Sequence, residues 1–378
     1  MVLIKNGIVY RNAERELRPM DILCDNGVIV DMSGSGGLKA EGAEVIDAEG
    51  AFLLPGLIDV HTHGREGYDF NELDADLSVV AAGYARHGVT TVMPTLASAP
   101  LDEMVTAAEN IDRFVSGRDQ ASFCGVHIEG RYLNAKKRGA HAENMLAALE
   151  ADELDRFLDI SRLHISAAYE LDKGGEFSKK ALCMNATLAL AHTAATYAEA
   201  KAAEERGVSA YTHLFNAMPP LHHRDGGAVA ACLTGMAYGE LICDGIHIAP
   251  EVVRLAYSCK RDRLTLISDS MQATGCCDGE YFIGGNPVTV KDGRAVTHDG
   301  ALAGSTLTLD EAVRNLMVFC DIPLTEAILC ATEAPAREVD IFSECGSLDV
   351  GKRADMLFAA PDTKRLEIKK IMLRGNMI

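Results

Sequence analysis

The middle of this 378-residue chain alternates between short apolar runs and longer segments with helical periodicity. Apolar runs of this length bounded by turn signals are typical of buried strands. We predict eight strands, at 57–60, 90–93, 123–128, 163–167, 188–191, 210–214, 241–243 and 264–268. The helix-like segments lie at 75–87, 101–115, 143–158, 196–206, 250–260, 308–320 and 323–332. Eight strands with mostly helical connections favour a (β/α)8 TIM-like barrel, an α/β fold, over an open doubly wound sheet.

The two ends of the chain differ from its middle. Residues 1–52 contain short strand-like runs separated by turn signals such as Asn6-Gly7 and Asn26-Gly27. Residues 345–378 contain two further strand-like runs. We therefore expect a small β-sandwich domain formed by both termini, 1–52 and 345–378, with the barrel at 53–344.

Composition narrows the possible partners. The formal net charge is -19, which argues against nonspecific binding to nucleic acid or to an anionic membrane, because both need a basic face. The eleven cysteines contain no CxxC pair, so we expect free thiols in a reducing cytoplasm. The amino terminus lacks the pattern of a signal peptide, and no apolar run approaches the length of a membrane span.

Reactive side chains collect where the predicted strands end. The catalytic face of a barrel is formed by the carboxyl ends of its strands. The residues at those ends are Asp59, His61, His63, Glu129, His192, His213 and Asp269. A carboxylate with several imidazoles at one face predicts a metal site for one or two ions, and Asp269 remains as a carboxylate that can act on a water molecule.

His61 and His63 lie two residues apart in the stretch PGLIDVHTHG, residues 55–64. Side chains two apart on a strand point to the same side, so both imidazoles can reach one ion. Taken alone, the pair is also compatible with two unrelated histidines after a turn. The other strand-end histidines favour the metal interpretation.

Several motifs occur in one order along nearly the whole chain. They are PGLIDVHTHG at 55–64, HIEG at 127–130, RGAH at 138–141, HTAAT at 192–196, THLFNAM at 212–218, HHR at 222–224, DGIH at 244–247, SDSMQATG at 268–275 and LAGSTLTL at 302–309. The first is similar to the first-strand motif of the amidohydrolase superfamily. Together they resemble the N-acetylglucosamine-6-phosphate deacetylase family.

The resemblance implies roles for individual residues. Glu129, His192 and His213 would be the main metal ligands, with His61 and His63 holding a second ion. Asp269 and His141 would be catalytic. The residues implied to contact phosphate and sugar are Asn216, Ala217, Arg224 and His247.

The resemblance also implies a reaction and an assembly. The expected reaction releases acetate from N-acetylglucosamine 6-phosphate in amino-sugar catabolism, with zinc as the first expectation and iron, cobalt or manganese as alternatives. Arg224 and His247 would reach the active site of a neighbouring subunit, which predicts a cytoplasmic homodimer.

The chain departs from the family pattern at Arg131, where a proline is usual, and at Thr193-Ala194 after His192. Arg131 would add a cation and an N–H donor beside Glu129. We therefore hypothesise a different acylamino sugar, N-acetylgalactosamine 6-phosphate being the nearest candidate. A cyclic-amide hydrolase and a non-catalytic scaffold are the remaining alternatives. The lysine expected on strand four of a cyclic-amide hydrolase is missing from this chain. The complete set of metal ligands argues against a non-catalytic scaffold.

Overall fold

The computed structural model describes residues 1–298 and 300–378, and eight parallel strands form its central barrel. Each strand pairs with the next in chain order. Their bounds are Leu57–Thr62, Val89–Ala97, Val126–Glu129, Leu163–Ala167, Thr187–Leu190, Val208–Tyr211, Tyr238–Ile242 and Leu264–Ile267. The short strand Ser122–Phe123 pairs beside the second of them. The fold class predicted from the sequence is confirmed.

Hydrogen bonds between the first and eighth strands close the barrel just beyond the strand ends. The N–H of Asp269 donates to the carbonyl of His61 at 3.0 Å, and the N–H of His63 donates to the carbonyl of Ser270 at 2.7 Å. The seam therefore passes through the predicted site. Closure of the barrel brings residues 200 positions apart in the sequence into contact.

Helices cover the outside of the barrel and bury their apolar faces against the strands. The α-helices are Leu77–Ala85, Leu101–Asp112, Glu176–Cys183, Tyr197–Glu205, Gly227–Thr234, Pro250–Lys260, Leu309–Cys320, Leu324–Ala327 and Glu333–Glu338. The 3-10 helices are Ala135–Lys137, Glu143–Met145, Ala151–Phe157, Tyr169–Leu171, Arg261–Arg263 and Ile328–Ala331. The helix expected at 143–158 is wrong, because two short 3-10 turns occupy that connection.

Both termini build one further sheet, as expected. Its strands are Val2–Arg11, Glu16–Asp25, Val28–Gly34, Glu44–Asp47, Phe52–Pro55, Met356–Ala359, Ile368–Leu373 and Asn376–Met377. They are joined in one hydrogen-bonded sheet instead of the two sheets of a sandwich, and they bury an apolar core separate from that of the barrel. Phe52–Pro55 crosses the boundary expected at residue 52.

A small three-stranded antiparallel sheet is inserted after the eighth barrel strand. Its strands are Gly279–Ile283, Asn286–Lys291 and Arg294–Thr297, and Asp292-Gly293 forms the tight turn between the last two. A two-stranded ribbon, Gly64–Arg65 with Tyr68–Asp69, lies beside the first barrel strand.

None of the helices in the described residues combines the length and apolar character needed to cross a lipid bilayer.

Candidate active site

Seven predicted side chains meet at the carboxyl end of the barrel. Each is less than a tenth exposed, although all are charged or polar. They are His61, His63, Glu129, His141, His192, His213 and Asp269. The structure therefore brings together all the metal ligands and both catalytic residues inferred from the sequence.

Three of these residues occupy unusual backbone conformations. His192, His213 and Asp269 have φ angles of +42°, +32° and +48° at the points where their strands end. The left-handed region costs a residue with a side chain about 1 kcal/mol relative to the right-handed region. Such backbone strain is concentrated at functional sites.

The Glu129 carboxylate lies between two groups of imidazoles. Its Oε1 is 2.9 Å from His213 Nε2 and 3.3 Å from His192 Nε2. Its Oε2 is 3.0 Å from His63 Nε2 and 3.5 Å from His61 Nε2. One carboxylate can therefore contribute an oxygen to each of two cation sites.

Asp269 completes the second group. Its Oδ1 is 3.4 Å from His63 Nε2 and 3.6 Å from His61 Nε2. The same aspartate also faces the cavity described below. Its carboxylate is therefore in contact with the histidine pair and accessible to a small molecule.

The outer faces of two imidazoles are held by acceptors. His192 Nδ1 donates to the carbonyl of Lys137 at 2.8 Å, and His61 Nδ1 lies 2.9 Å from Glu240 Oε2. A carbonyl or carboxylate oxygen can only accept, so in the neutral form of each ring the proton lies on Nδ1. The Nε2 lone pair of both histidines is then directed into the site.

These residues fit a divalent cation. The Nε2 atoms of His192 and His213 are only 3.1 Å apart with Glu129 beside both, and His61 Nε2 is buried without a hydrogen-bond partner. Lone pairs and carboxylate oxygens that converge in this way require positive charge between them. Imidazole and carboxylate ligands suit zinc, iron, cobalt and manganese. The donor set thus forms a divalent metal site.

His141 approaches the centre from the loop after the third strand. The N–H of Ser98 points at His141 Nδ1 at 3.3 Å, and the Ser98 hydroxyl lies 2.9 Å from the same atom. An N–H must donate, so Nδ1 accepts and Nε2 carries the proton. Burial, with the neighbouring His192, lowers the pKa of His141 to about 3. His141 is therefore a neutral donor close to Glu129.

Asp59 does not join the ligands, although it belongs to the first-strand motif. It accepts hydrogen bonds from the hydroxyl and the N–H of Ser268, at 2.5 and 3.2 Å. Burial raises its pKa to about 6 despite these hydrogen bonds. Asp59 ties the first strand to the eighth one residue before Asp269, and so helps to fix the position of that carboxylate.

A cavity of about 280 Å³ opens above this cluster. Besides the ligands, it is lined by residues of three later loops and of the inserted sheet. These include Asn216, Ala217, His247, Ile283, Asn286, Ala301, Leu302, Ala303 and Gly304, and Ala97, Gly139, Ala140 and Ile242 complete the lining. Asn216 and Ala217 therefore lie where the resemblance places contacts to the substrate.

The matching family model is that of the amidohydrolase family, over residues 52–378. The chain is 33% identical to the N-acetylglucosamine-6-phosphate deacetylase of Vibrio furnissii over 360 residues, which are 94% of this chain and 89% of the relative. It is 36% identical to the N-acetylgalactosamine-6-phosphate deacetylase of Escherichia coli O157:H7 over 340 residues, 88% of this chain and 89% of the relative. The chain belongs to the N-acetylglucosamine-6-phosphate deacetylase family of amidohydrolases.

Solved structures of this deacetylase family have the same fold. The N-acetylglucosamine-6-phosphate deacetylase of Pasteurella multocida matches with a TM-score of 0.89 at 26% identity, covering 100% of this chain and 99% of that one. A mutant of the Mycobacterium smegmatis enzyme, in complex with N-acetyl-D-glucosamine-6-phosphate, matches with a TM-score of 0.88 at 28% identity, covering 100% and 98%. This chain is accordingly an amidohydrolase enzyme, which decides against the scaffold alternative.

Arg224 and His247 lie in different places in this amidohydrolase. Arg224 is exposed on the 219–226 loop and is absent from the lining of the cavity in its own chain. His247 lines that cavity, and its Nδ1 is 2.7 Å from Asp244 Oδ2. Within one chain, His247 therefore lines the cavity and Arg224 does not.

Arg131 does not contribute a cation to the substrate cavity, so that part of the hypothesis is wrong. Its guanidinium lies 3.4 Å from both oxygens of Glu153 and 3.2 Å from the carbonyl of Ala99. Its φ is +62°, which the proline usual in this family cannot adopt, and its N–H donates to Ser98 Oγ at 2.8 Å. Arg131 therefore supports Ser98, the partner of His141.

Two polar residues near the ligands, His127 and Glu170, have clear hydrogen-bond partners. His127 Nδ1 is 3.1 Å from Thr95 Oγ1 and its Nε2 is 2.7 Å from Ser166 Oγ, so neither nitrogen faces the metal ligands. Glu170 accepts from Thr193 Oγ1 at 2.7 Å and from the N–H of Ala194 at 2.8 Å. The unusual Thr193-Ala194 pair is thus held in place beside His192 by Glu170.

Sequence reasoning missed Ser98 and Glu240. Ser98 follows the strand Val89–Ala97, and Glu240 lies within the strand Tyr238–Ile242. Neither belongs to a recognised motif, and neither lies at the carboxyl end of a predicted strand. A glutamate in the apolar stretch Tyr238–Ile242 was the available signal, because a buried strand has no ordinary place for a carboxylate.

Proposed function

We propose that this amidohydrolase removes the acetyl group of N-acetylglucosamine 6-phosphate, with water as the second substrate, and releases glucosamine 6-phosphate and acetate. The observation that carries the proposal is the position of Asp269 in the cavity wall, beside the histidines and Glu129 and close to the neutral donor His141. An acetamide is a poor electrophile with a poor leaving group, so its hydrolysis needs help at both the carbonyl and the nitrogen.

The residues divide this work between them. Asp269 accepts a proton from the attacking water and returns it to the departing nitrogen. His141 Nε2–H donates to the carbonyl oxygen as negative charge develops there. Glu129, His192 and His213 would hold one divalent ion, with His61 and His63 available for a second. When bound, the metal supplies Lewis acidity that polarises the carbonyl and lowers the pKa of water.

Zinc is the metal that we propose first. Nitrogen and carboxylate ligands that leave a position for substrate are typical of catalytic zinc sites. Iron, cobalt and manganese also accept this donor set, and their availability influences which one is bound.

The phosphate requires local cations in a protein whose net charge is -19. We propose that Arg224 provides one in the cavity of a second subunit of a homodimer, because it is exposed and lies outside its own cavity. A guanidinium presents paired N–H donors that match phosphate oxygens. The eleven free cysteines fit a reducing, cytoplasmic location.

N-acetylgalactosamine 6-phosphate is the second candidate substrate. Support comes from the 36% identity to the E. coli enzyme named for that sugar, compared with 33% to the V. furnissii enzyme named for the gluco sugar. The two sugars differ only at C4, so both present the same acetamide to Asp269.

The test measures kcat/KM for acetate release from both sugar phosphates and from both unphosphorylated sugars. We expect the gluco phosphate to be preferred and the unphosphorylated sugars to be poor substrates. A preference for the galacto phosphate would establish the second candidate. Equal rates with and without phosphate would exclude the proposed phosphate site, and no acetate from any of the four would exclude the proposed reaction.

A further inference from the structure

Glu240 is a buried carboxylate outside the cavity that contacts residues of both ligand groups. It lies on the seventh barrel strand with none of its side chain exposed. Its Oε2 is 2.9 Å from His61 Nδ1 and accepts the N–H of His213 at 3.2 Å. It is not among the residues that line the cavity. Glu240 is thus positioned to act on ligands and not on substrate.

The location of Glu240 is energetically unfavourable without a specific partner. The effective cost of removing a carboxylate from water into a protein interior is several kcal/mol, and it is offset only by well-placed donors. The donors on Oε2 are the imidazole of His61 and the backbone of His213. His61 and His213 are both proposed metal ligands, so the two hydrogen bonds to Glu240 Oε2 hold the metal centre and have no separate structural role.

A second buried acid lies behind Glu240. Glu338 accepts a hydrogen bond from the Thr265 hydroxyl, and an oxygen of Glu338 lies within 4.8 Å of Glu240 and of His164. Burial and the charge of Glu240 raise the pKa of Glu338 well above its usual range. The Oε1 atoms of Glu240 and Glu338 are both buried without a hydrogen-bond partner, so Glu338 is held by Thr265 and not by the carboxylate that contacts His61.

The consequence is a fixed direction for His61. With its Nδ1 proton committed to Glu240, its Nε2 points towards Glu129 Oε2 at 3.5 Å and Asp269 Oδ1 at 3.6 Å. A carboxylate on the outer nitrogen of a ligating histidine sets the tautomer and makes the inner nitrogen more basic. Loss of such a partner typically weakens metal affinity 10- to 100-fold.

We propose that Glu240 is a positioning residue, which holds His61 Nδ1 and thereby directs His61 Nε2 towards the ion that His61 and His63 would hold. The inference rests on the proposed function, since it assumes that the centre holds metal.

The test counts bound ions without measuring activity. Full-length wild-type, Glu240→Gln and Glu240→Leu proteins are dialysed against graded concentrations of Zn²⁺, and zinc per chain is measured by elemental analysis. We expect two ions for the wild type. Glu240→Leu, which removes the acceptor, should weaken the second ion at least 10-fold, and Glu240→Gln, which keeps an acceptor without charge, should have a smaller effect. The first ion should be weakened less than the second, because Glu240 contacts His213 only through the backbone N–H and not through the imidazole.

Glu338→Gln is the matched control, because it alters an equally buried acid that is hydrogen-bonded to Thr265 and to none of the proposed ligands. It should bind two ions with wild-type affinity. Thermal unfolding of each variant distinguishes a loss of stability from a loss of metal affinity. If Glu240→Leu does not fold, the affinity of Glu240→Gln for the second ion decides the test.

Three outcomes have distinct meanings. One ion per wild-type chain, or wild-type affinity for the second ion in the folded Glu240 variants, would overturn the positioning role. A weakened second ion in the Glu338→Gln control as well would assign the effect to general disturbance of the barrel interior, which also overturns it. A wild-type chain that binds no ion would instead overturn the metal-dependent function on which the inference rests.

Discussion

The mouth of the barrel and the terminal sheet use burial in different ways. The mouth buries five histidines and two carboxylates, three of them on left-handed backbone. The core of the terminal sheet is built from aliphatic, sulfur-containing and aromatic side chains, with Ile4, Val9 and Leu53 fully buried. Buried apolar area stabilises a fold directly, whereas buried charge lowers stability unless each group has a partner.

This difference predicts that substitutions will separate by region. Changes at the mouth should alter the reaction and leave stability nearly unchanged, and changes in the terminal sheet should do the reverse. Four variants test this comparison.

The largest expected effect is that of Asp269→Asn. The change removes the proton acceptor, and loss of general acid–base catalysis should lower kcat on the order of 10³-fold, equivalent to about 4 kcal/mol. Asparagine tolerates the left-handed backbone, so the variant should fold and keep the ion that Glu129, His192 and His213 would hold. Activity above a tenth of the wild-type value in a fully metallated sample would refute the role of Asp269.

Leu53→Ala tests the opposite region. Leu53 is fully buried in the strand Phe52–Pro55 and packs directly over Gly7. The variant should lose about 3 kcal/mol of unfolding free energy in urea, from lost burial and the cavity left behind. Its kcat/KM per folded molecule should stay unchanged.

Val45→Ala is the control for that variant. Val45 lies in the same sheet but is 58% exposed, so the expected loss is below about 0.5 kcal/mol. A large fall in kcat/KM of the folded Leu53→Ala protein would show that the two regions are coupled and would break the comparison.

Arg224→Ala should have an intermediate effect confined to phosphorylated substrates. Loss of one charge-assisted contact should raise KM about tenfold, or about 1.4 kcal/mol, and leave kcat and stability nearly unchanged. Arg118→Ala is the control, because Arg118 is exposed in the loop that precedes the strand Ser122–Phe123, at the amino-terminal end of the barrel. Equal effects on phosphorylated and unphosphorylated sugars would exclude the phosphate contact.

Asp310→Asn, in the barrel wall away from the ligands, should have an effect similar in size to that of Arg224→Ala, but on stability. Burial opposes ionisation of Asp310, but hydrogen bonds from His87 and Thr308 and the charge of Arg314, 2.9 Å away, lower its pKa from 3.8 to about 2. The ionised group therefore stabilises the fold above about pH 4, and this contribution decreases as pH falls towards 2.

We expect Asp310→Asn to lose about 1–2 kcal/mol of unfolding free energy at neutral pH. Denaturant unfolding from pH 6 to pH 3 should show the difference from wild type narrowing at the acid end. Glu311→Gln, an exposed carboxylate in the same turn, should show a smaller change. A difference between Asp310→Asn and wild type that does not narrow would contradict the assignment.

Predictions from sequence were accurate where a local pattern has one physical meaning. The strand at 163–167 and the helix at 250–260 were located to the residue. The helix predicted at 143–158 was wrong, because the composition of this segment favours a helix whereas its tertiary contacts do not. The N–H of Ala147 donates to the carbonyl of Arg131, and Glu153 accepts hydrogen bonds from Arg131 and Tyr132. Such partners override intrinsic propensity.

The same limit applies to single side chains. Arg131 was correctly noticed as unusual, but its direction depends on Glu153 and Ala99, which lie 22 and 32 residues away. Glu240 was overlooked because the apolar strand around it conceals its partner His61, 179 residues away.

The barrel and the set of residues at its catalytic end could be predicted from the sequence, because strand periodicity and strand ends are local properties of the chain. The family could be predicted because its motifs are also local. Only the tertiary structure decided what occupies the outer nitrogen of each imidazole. Closure of the barrel places Glu240 behind His61 and the carbonyl of Lys137 behind His192. Those partners set the tautomers, and the tautomers direct the lone pairs at which a metal can bind.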